Sequence, residues 1–174
     1  MPSEKDVELC SNFSSLTTDT IMTPTNSDMA SNHSTSEHTL SDKNHKGTVP
    51  WPGRTYIIRD IDTKLQITLV EGVICMQSHL GDQGGYHWKC VSKDGWLGFR
   101  NPSSGLYLGH DTLGHITAQV RHLDCCEFFV TRAHPDGGQM LLTKHGDELR
   151  QLLWNQYGIG ETKEGGTVWE FMKV

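Results

Sequence analysis

Trp96, Arg100 and Tyr107 have side chains that commonly bind sugars, planar ligands and protein partners, and they lie close together in the sequence. They alternate with apolar residues, as expected for short half-buried strands. If the intervening leucine and phenylalanine side chains face a core, these three side chains face outward, because successive side chains of a strand alternate.

Gly98 and Gly109 lie between these side chains and add no side chain of their own. The pattern therefore predicts a flat aromatic floor with a guanidinium group beside it, suited to stacking on a sugar or anchoring a protein partner. His110 and Asp111 follow in the next turn and would add polar contacts. These residues form the predicted binding site.

Two other interpretations remain open for the same residues. Trp is usually largely buried, so Trp96 also fits a position at the mouth of the fold beneath residues 51–52. His110 and Asp111 are also typical of turns, which would explain them without a ligand.

No nucleophile, phosphate-binding or dinucleotide-binding motif is present in the sequence. His122, Cys125 and Cys126 could begin a zinc site, but a fourth ligand is missing, and adjacent cysteines on a strand point to opposite faces. We therefore predict a protein that is not an enzyme, with no catalytic residue, no cofactor and no metal.

The elements that would position the predicted site repeat along the chain. Three copies of about 40 residues, each with four short strands, occupy residues 53–94, 95–136 and 137–174. The alignment equates Tyr56 and Ile58 with Leu97 and Phe99, and then with Met140 and Leu142. In the closing strands it equates Trp88 and Cys90 with Cys126 and Phe128, and then with Trp169 and Phe171.

Three copies of four strands predict an all-β fold, a single β-trefoil over residues 51–174. Closing the strands into one small barrel also leaves no free sheet edge. In the second copy Cys126 is smaller than the Trp of the other two copies, and we expect a neighbouring aromatic such as Phe129 to fill the space, because voids in a core are costly.

The segment GLYLGHDTLGHITAQ, followed by EFFV, resembles the repeat of fascin-like, actin-crosslinking-type β-trefoils. The segments GGYHWKCVSKDGWLGFRNPSSGLYLGHD and VWEFMKV also resemble a group of small fungal proteins of this fold. The resemblance covers residues 53–174 and implies a protein-binding trefoil whose partner is actin. The Gln-x-Trp motif of ricin-type lectins is absent from the closing strands.

Residues 1–50 are rich in Ser and Thr and poor in aromatic residues, so we predict a disordered tail. The net charge of -6 argues against nucleic-acid binding, and no apolar stretch reaches the roughly 20 residues of a membrane span. The N-terminus has no apolar run of signal-peptide length, so we expect a cytoplasmic protein. In that reducing compartment the five cysteines, which form no CxxC pair, should be free thiols.

The sequence thus predicts a non-enzymatic binding module. Its partner would be a protein, with actin implied by the resemblance. The alternatives are a lectin-like module that binds a glycan or small ligand through Trp96, Arg100 and Tyr107, and an accessory protein of a fungal biosynthetic pathway.

Overall fold

The structure is a computed structural model that describes residues 48–78 and 85–174. The predicted tail lies outside these residues except at its last three positions, so its disorder remains a prediction. Across the described ranges there is no α-helix, and accordingly no helix that is long and apolar enough to cross a membrane.

Twelve strands and one 3-10 turn, Cys125–Glu127, make up the regular structure of the described residues. The strands are β1 Thr55–Asp60, β2 Gln66–Val70, β3 Val73–Gln77, β4 His87–Lys93, β5 Trp96–Arg100, β6 Tyr107–His110, β7 Ile116–Val120, β8 Phe129–Ala133, β9 Gln139–His145, β10 Glu148–Asn155, β11 Gly158–Thr162 and β12 Val168–Lys173. Each predicted repeat therefore contains four strands, as expected.

Six of these strands close into a barrel. Antiparallel pairing runs from β1 to β4, β5, β8, β9 and β12, and β12 returns to pair with β1. The other six form three hairpins, β2–β3, β6–β7 and β10–β11, and the second strands of these hairpins contact one another. A six-stranded barrel covered by three hairpins is a β-trefoil, and the predicted fold is confirmed.

The connection between β4 and β5 is a tight hairpin turn at Asp94 and Gly95. Asp94 and Gly95 both have positive φ angles, of 52° and 84°. Two consecutive residues with positive φ form the tight hairpin turn that matches the twist of the flanking strands. This turn starts β5 at Trp96, and it therefore fixes which side chains of β5 face the core.

The first barrel strand of each repeat carries a fully buried apolar residue that pairs with a closing strand. The pairs are Ile58 with Phe171, Phe99 with Cys90, and Leu141 with Thr131. Leu141, and not Leu142, therefore corresponds to Phe99. The predicted alignment of the third repeat was wrong by one residue, because it followed the apolar side chains, whereas the buried polar Gln139 occupies the position of Leu97.

Three large aromatic side chains of the closing strands fill the barrel at equivalent positions. Trp88 pairs with Tyr56, Phe129 with Leu97, and Trp169 with Gln139, and all three aromatic side chains are fully buried. Phe129 thus fills the second position, as expected. The assignment of Cys126 and Phe128 to that closing strand was wrong, because both precede β8 and Cys126 belongs to the 3-10 turn.

Candidate functional site

Trp96 is half-buried at the start of β5 and stacks on Phe128. The two ring centroids are 5.5 Å apart and the ring planes differ by 4°. The Lys93 ammonium lies 5.9 Å from the centroid of the Phe128 ring, close enough for a weak cation–π contact. Trp51, the neighbour that the alternative interpretation gives to Trp96, is 71% exposed.

Arg100 and Tyr107 form a cross-strand pair between β5 and β6, at the other end of β5 from Trp96. Both are half-buried, and Arg100 Nε donates a hydrogen bond of 3.2 Å to the carbonyl oxygen of Gly105. At about 3.3 Å of rise per residue, Trp96 and Arg100 are on the order of 13 Å apart along the strand. The structure therefore brings Arg100 and Tyr107 together but places Trp96 apart from them.

The glycines of this hairpin do not leave an open surface. A Cβ atom on Gly98 would lie 2.5 Å from Cδ1 of Leu123, and one on Gly109 would lie 2.9 Å from the carbonyl oxygen of Cys126. The chain between β7 and β8 therefore covers both glycines. The predicted flat aromatic floor was wrong, because the absent side chains make room for this covering segment rather than for a ligand.

His110 and Asp111 are held by neighbouring backbone groups. His110 is 8% exposed, and its Nε2 lies 2.7 Å from the carbonyl oxygen of Lys144. Asp111 Oδ1 accepts hydrogen bonds of 2.9 Å from the backbone N–H groups of Leu113 and His115. Slight burial raises the pKa of Asp111, but these hydrogen bonds and the His115 side chain outweigh it and lower that pKa. Asp111 thus stabilises its own turn, as turn chemistry predicts.

The structure also contains a cleft that the sequence reasoning missed. Its volume is about 420 Å³, and it lies between the end of β10, the turn after β1 and the start of β12. We call it the Trp154 cleft. Its lining residues are Asp60, Asp62, Thr63, Trp154, Asn155, Gln156, Gly166, Thr167 and Val168.

Trp154 is half-buried in this cleft, packed on one side against the core of the trefoil. Its backbone N–H donates a hydrogen bond of 2.7 Å to Oγ1 of Thr167, which ties β10 to the segment before β12. Asn155 is exposed beside it, and its side-chain oxygen accepts a hydrogen bond from the backbone N–H of Tyr157 at 2.8 Å. These contacts fix the backbone at Trp154 and the side-chain amide of Asn155.

The end of β1 and the turn after it contribute two acidic residues to the lining of the Trp154 cleft, Asp60 and Asp62. Asp60 is 5% exposed and its carboxylate accepts hydrogen bonds from the backbone N–H of Asp62, at 3.1 Å, and from Oγ1 of Thr63, at 2.6 Å. Asp60 therefore holds the turn, while the exposed carboxylate of Asp62 remains at the cleft surface.

The strand registers relate the Trp154 cleft to equivalent places in the other repeats. Ile67, Leu108 and Leu152 are fully buried at matching positions. The residues two places later are Leu69, His110 and Trp154. An aromatic side chain where the other repeats have Leu and His was the signal that could have located the cleft from the sequence.

The described cysteines are of two kinds. Cys75, Cys90 and Cys126 are free thiols, and burial raises the pKa of Cys90 to about 12, which makes its thiol unreactive. Cys125 is disulfide-bonded, so the expectation of five free thiols was wrong for this residue. It lies in the 3-10 turn and not on a strand, which also removes the alternation assumed for the two adjacent cysteines.

No protein-family model matches the sequence, and no curated protein matches it. Several solved structures share the fold. A GlcNAcα1-4Gal-releasing endo-β-galactosidase from Clostridium perfringens superposes with a TM-score of 0.60 at 16% identity, over 70% of this chain and 32% of the enzyme. The chain thus spans about a third of the length of that enzyme.

Two further neighbours are matched over nearly their whole length. The BEL β-trefoil gives a TM-score of 0.62 at 11% identity, over 75% of this chain and 100% of that one. SeviL bound to asialo-GM1 saccharide gives a TM-score of 0.57 at 12% identity, over 69% of this chain and 97% of that one. At these identities the likeness shows the β-trefoil fold.

Proposed function

We propose that the protein is a non-enzymatic carbohydrate-binding module that holds a saccharide in the Trp154 cleft. The observation that carries this proposal is that Trp154 and the exposed residue Asp62 line the same cleft. A sugar ring has an apolar face that packs on an aromatic ring and hydroxyl groups that need hydrogen-bond partners at its edge.

The polar groups of the cleft suit those hydroxyl groups. Asp62 supplies acceptor oxygens, and the amide groups of Asn155 and Gln156 supply both donors and acceptors. Hydrogen bonds to a charged group contribute more than those between neutral groups, so Asp62 should contribute the most. The volume of about 420 Å³ is sufficient for one or two sugar rings.

The structural neighbours support the same class of ligand. One is described as bound to asialo-GM1 saccharide, and another is an enzyme that acts on a galactose-containing glycan. Fold likeness alone does not carry a ligand from one trefoil to another. The proposal therefore depends on the residues of the cleft, and the neighbours only make the ligand class reasonable.

A glycan array probed with the full chain tests this proposal, followed by calorimetric titration of the best saccharide. We expect Asp62→Ala and Asn155→Ala each to weaken binding by about tenfold or more, as the loss of one charged or bidentate hydrogen bond implies. Asp136→Ala is the matched control, because its side chain is 92% exposed in another turn. Absence of any saccharide signal, or equal affinity in all three variants, would contradict the proposal.

The alternative of a protein partner, including actin, has one favourable feature, the half-buried Trp96–Phe128 stack with Lys93 beside it. Aromatic and basic side chains of this kind often dominate protein interfaces. Co-sedimentation with actin filaments tests it. Pelleting that Trp96→Ala abolishes without unfolding the protein would favour this function over saccharide binding.

A further inference from the structure

Two histidines and one glutamate from three different strands lie close together. His110 ends β6, His145 ends β9 and Glu161 lies in β11. One ligand atom from each side chain lies within 4.8 Å of the other two. We call these three residues the histidine cluster.

The distances within the histidine cluster are short. His145 Nδ1 lies 2.7 Å from Oε2 of Glu161, and His110 Nδ1 lies 3.5 Å from Oε1 of the same carboxylate. The two imidazole rings are stacked, with centroids 4.8 Å apart and planes that differ by 18°. Both Nδ1 atoms therefore face the Glu161 carboxylate, with its side chain 1% exposed.

Both ring nitrogens of His110 lie next to carbonyl oxygens. Its Nδ1 lies 2.9 Å from the carbonyl oxygen of Asp111 and its Nε2 lies 2.7 Å from that of Lys144. A neutral imidazole has only one N–H group, so it cannot donate to both carbonyl oxygens. A cation bound at the nitrogen without a proton would satisfy both that nitrogen and the carbonyl oxygen beside it.

The Glu161 carboxylate also has one oxygen atom without a hydrogen-bond partner in the described part of the chain. Its Oε1 is buried and accepts no hydrogen bond among the described residues. A buried carboxylate oxygen without a donor is costly. The nearest guanidinium group is that of Arg150, whose Nη1 lies 3.9 Å from Oε2 of Glu161. The same guanidinium group also lies close to Glu148, with Nη2 3.5 Å from Oε2 of that residue.

We propose that the histidine cluster binds one divalent transition-metal ion of the zinc class, through Nδ1 of His110, Nδ1 of His145 and the Glu161 carboxylate. Two imidazole nitrogens and one carboxylate oxygen are a common zinc ligand set, with a fourth position left for another ligand. The carbonyl oxygen of Asp111, 2.9 Å from His110 Nδ1, is placed to approach that fourth position.

Calcium and magnesium fit the cluster less well, because both ions prefer oxygen ligands only. Binding of zinc removes the protons from both Nδ1 atoms, since an imidazole nitrogen must be deprotonated to coordinate a metal. The metal also joins the second repeat to two strands of the third. The proposal is independent of saccharide binding, because the Trp154 cleft shares no residue with the cluster.

The test uses the full chain after treatment with a chelator. Titration with ZnCl₂ in a calorimeter should give one ion per chain and release of protons, and thermal unfolding should shift to higher temperature with zinc but not with CaCl₂ or MgCl₂. Glu161→Gln and His145→Gln should each weaken zinc binding by at least about tenfold, the loss that removal of even an indirect ligand contact causes.

His122→Gln is the control, because its side chain is 71% exposed and lies outside the cluster. Should the cluster variants fail to fold, NMR of the imidazole nitrogens in the unaltered chain decides the question. A zinc-induced shift of Nδ1 in His110 and His145 supports the proposal. A doubly protonated His110 that zinc leaves unchanged, or zinc binding that Glu161→Gln does not weaken, would overturn it.

Discussion

Phe129 occupies in the second repeat the position that Trp88 occupies in the first, and both side chains are fully buried in the barrel. The residue opposite is Tyr56 for Trp88 and the smaller Leu97 for Phe129. The core of the second repeat is thus built from different side chains than that of the first, although the backbone pairing is the same.

Phe129→Ala should destabilise the protein by about 3–5 kcal/mol, because it removes a buried aromatic ring and leaves a cavity. Cys126→Ala is the matched control from the same segment, and it should cost much less, since Cys126 is only partly buried in the 3-10 turn. Urea unfolding of both variants measures the difference. Equal destabilisation would mean that Cys126 does contribute to the barrel core.

The fold was predictable from the sequence because the same pattern of four strands occurs three times. The register of the third repeat was not, because a buried polar residue, Gln139, occupies a position where apolar residues mark the other copies. The closing strand of the second repeat was also misplaced. The apolar residues Cys126 and Phe128 resemble the start of a strand, but they precede β8, and Cys126 lies in a 3-10 turn.

The sites were harder to predict than the fold. His110, His145 and Glu161 are separated in the sequence, and they come together only in the fold, from two hairpin strands and one barrel strand. Trp154 was visible in the sequence, but the cleft that it lines also needs residues 60–63 and 166–168, which only the fold brings next to it. The alternation of side chains along a strand predicts which of them face away from the core, but it does not predict which other segment of the chain then packs over them.

Gly109→Ala should destabilise the protein more than Gly98→Ala. A Cβ atom at residue 109 would lie 2.9 Å from a backbone oxygen, that of Cys126, whereas one at residue 98 would meet the flexible end of Leu123. Overpacking against backbone typically costs about 1–3 kcal/mol, and a side chain can move aside at lower cost. Chemical denaturation of the two variants tests the order. The reverse order would show that the segment between β7 and β8 moves freely over the hairpin.

Trp96 and Phe128 should stabilise each other. Stacked aromatic pairs contribute about 0.5–1.5 kcal/mol beyond the area that they bury. A double-mutant cycle with Trp96→Ala, Phe128→Ala and the double variant should therefore give a coupling energy in that range. If the effects of the two substitutions simply add, the rings do not interact in solution, and Trp96 would be available to a partner.

Glu170 should contribute stability at neutral pH that is lost in acid. Burial raises the pKa of Glu170, but the hydrogen bond from Arg59 Nε at 2.6 Å and the charges of Arg59 and Lys64 outweigh it, and the pKa lies below its ordinary value of 4.5. The contribution is therefore present above about pH 4.5 and is lost as the pH falls through the lower pKa of the folded state. Glu170→Gln should destabilise the protein at pH 7 and approach the unaltered chain in acid, as measured by urea unfolding across the range. A constant difference at every pH would contradict this.

Glu127 should affect the pH dependence of stability in the opposite sense to Glu170. Its side chain covers Gly109, and burial raises its pKa above the ordinary value of 4.5 in spite of the hydrogen bond from the Asp124 backbone N–H. A raised pKa in the folded state means that the contribution of Glu127 to stability is fully present below about pH 4.5 and is lost as the pH rises through the higher pKa of the folded state.

Glu127→Gln keeps the acceptor oxygen for Asp124 and removes the charge, so it should stabilise the protein at pH 7 and have little effect in acid. Urea unfolding at the two pH values gives the comparison, with Glu164→Gln at an exposed position as the control. Destabilisation by Glu127→Gln at pH 7 would show that the charge of Glu127 stabilises the fold, and that its cover over Gly109 depends on an ionised carboxylate.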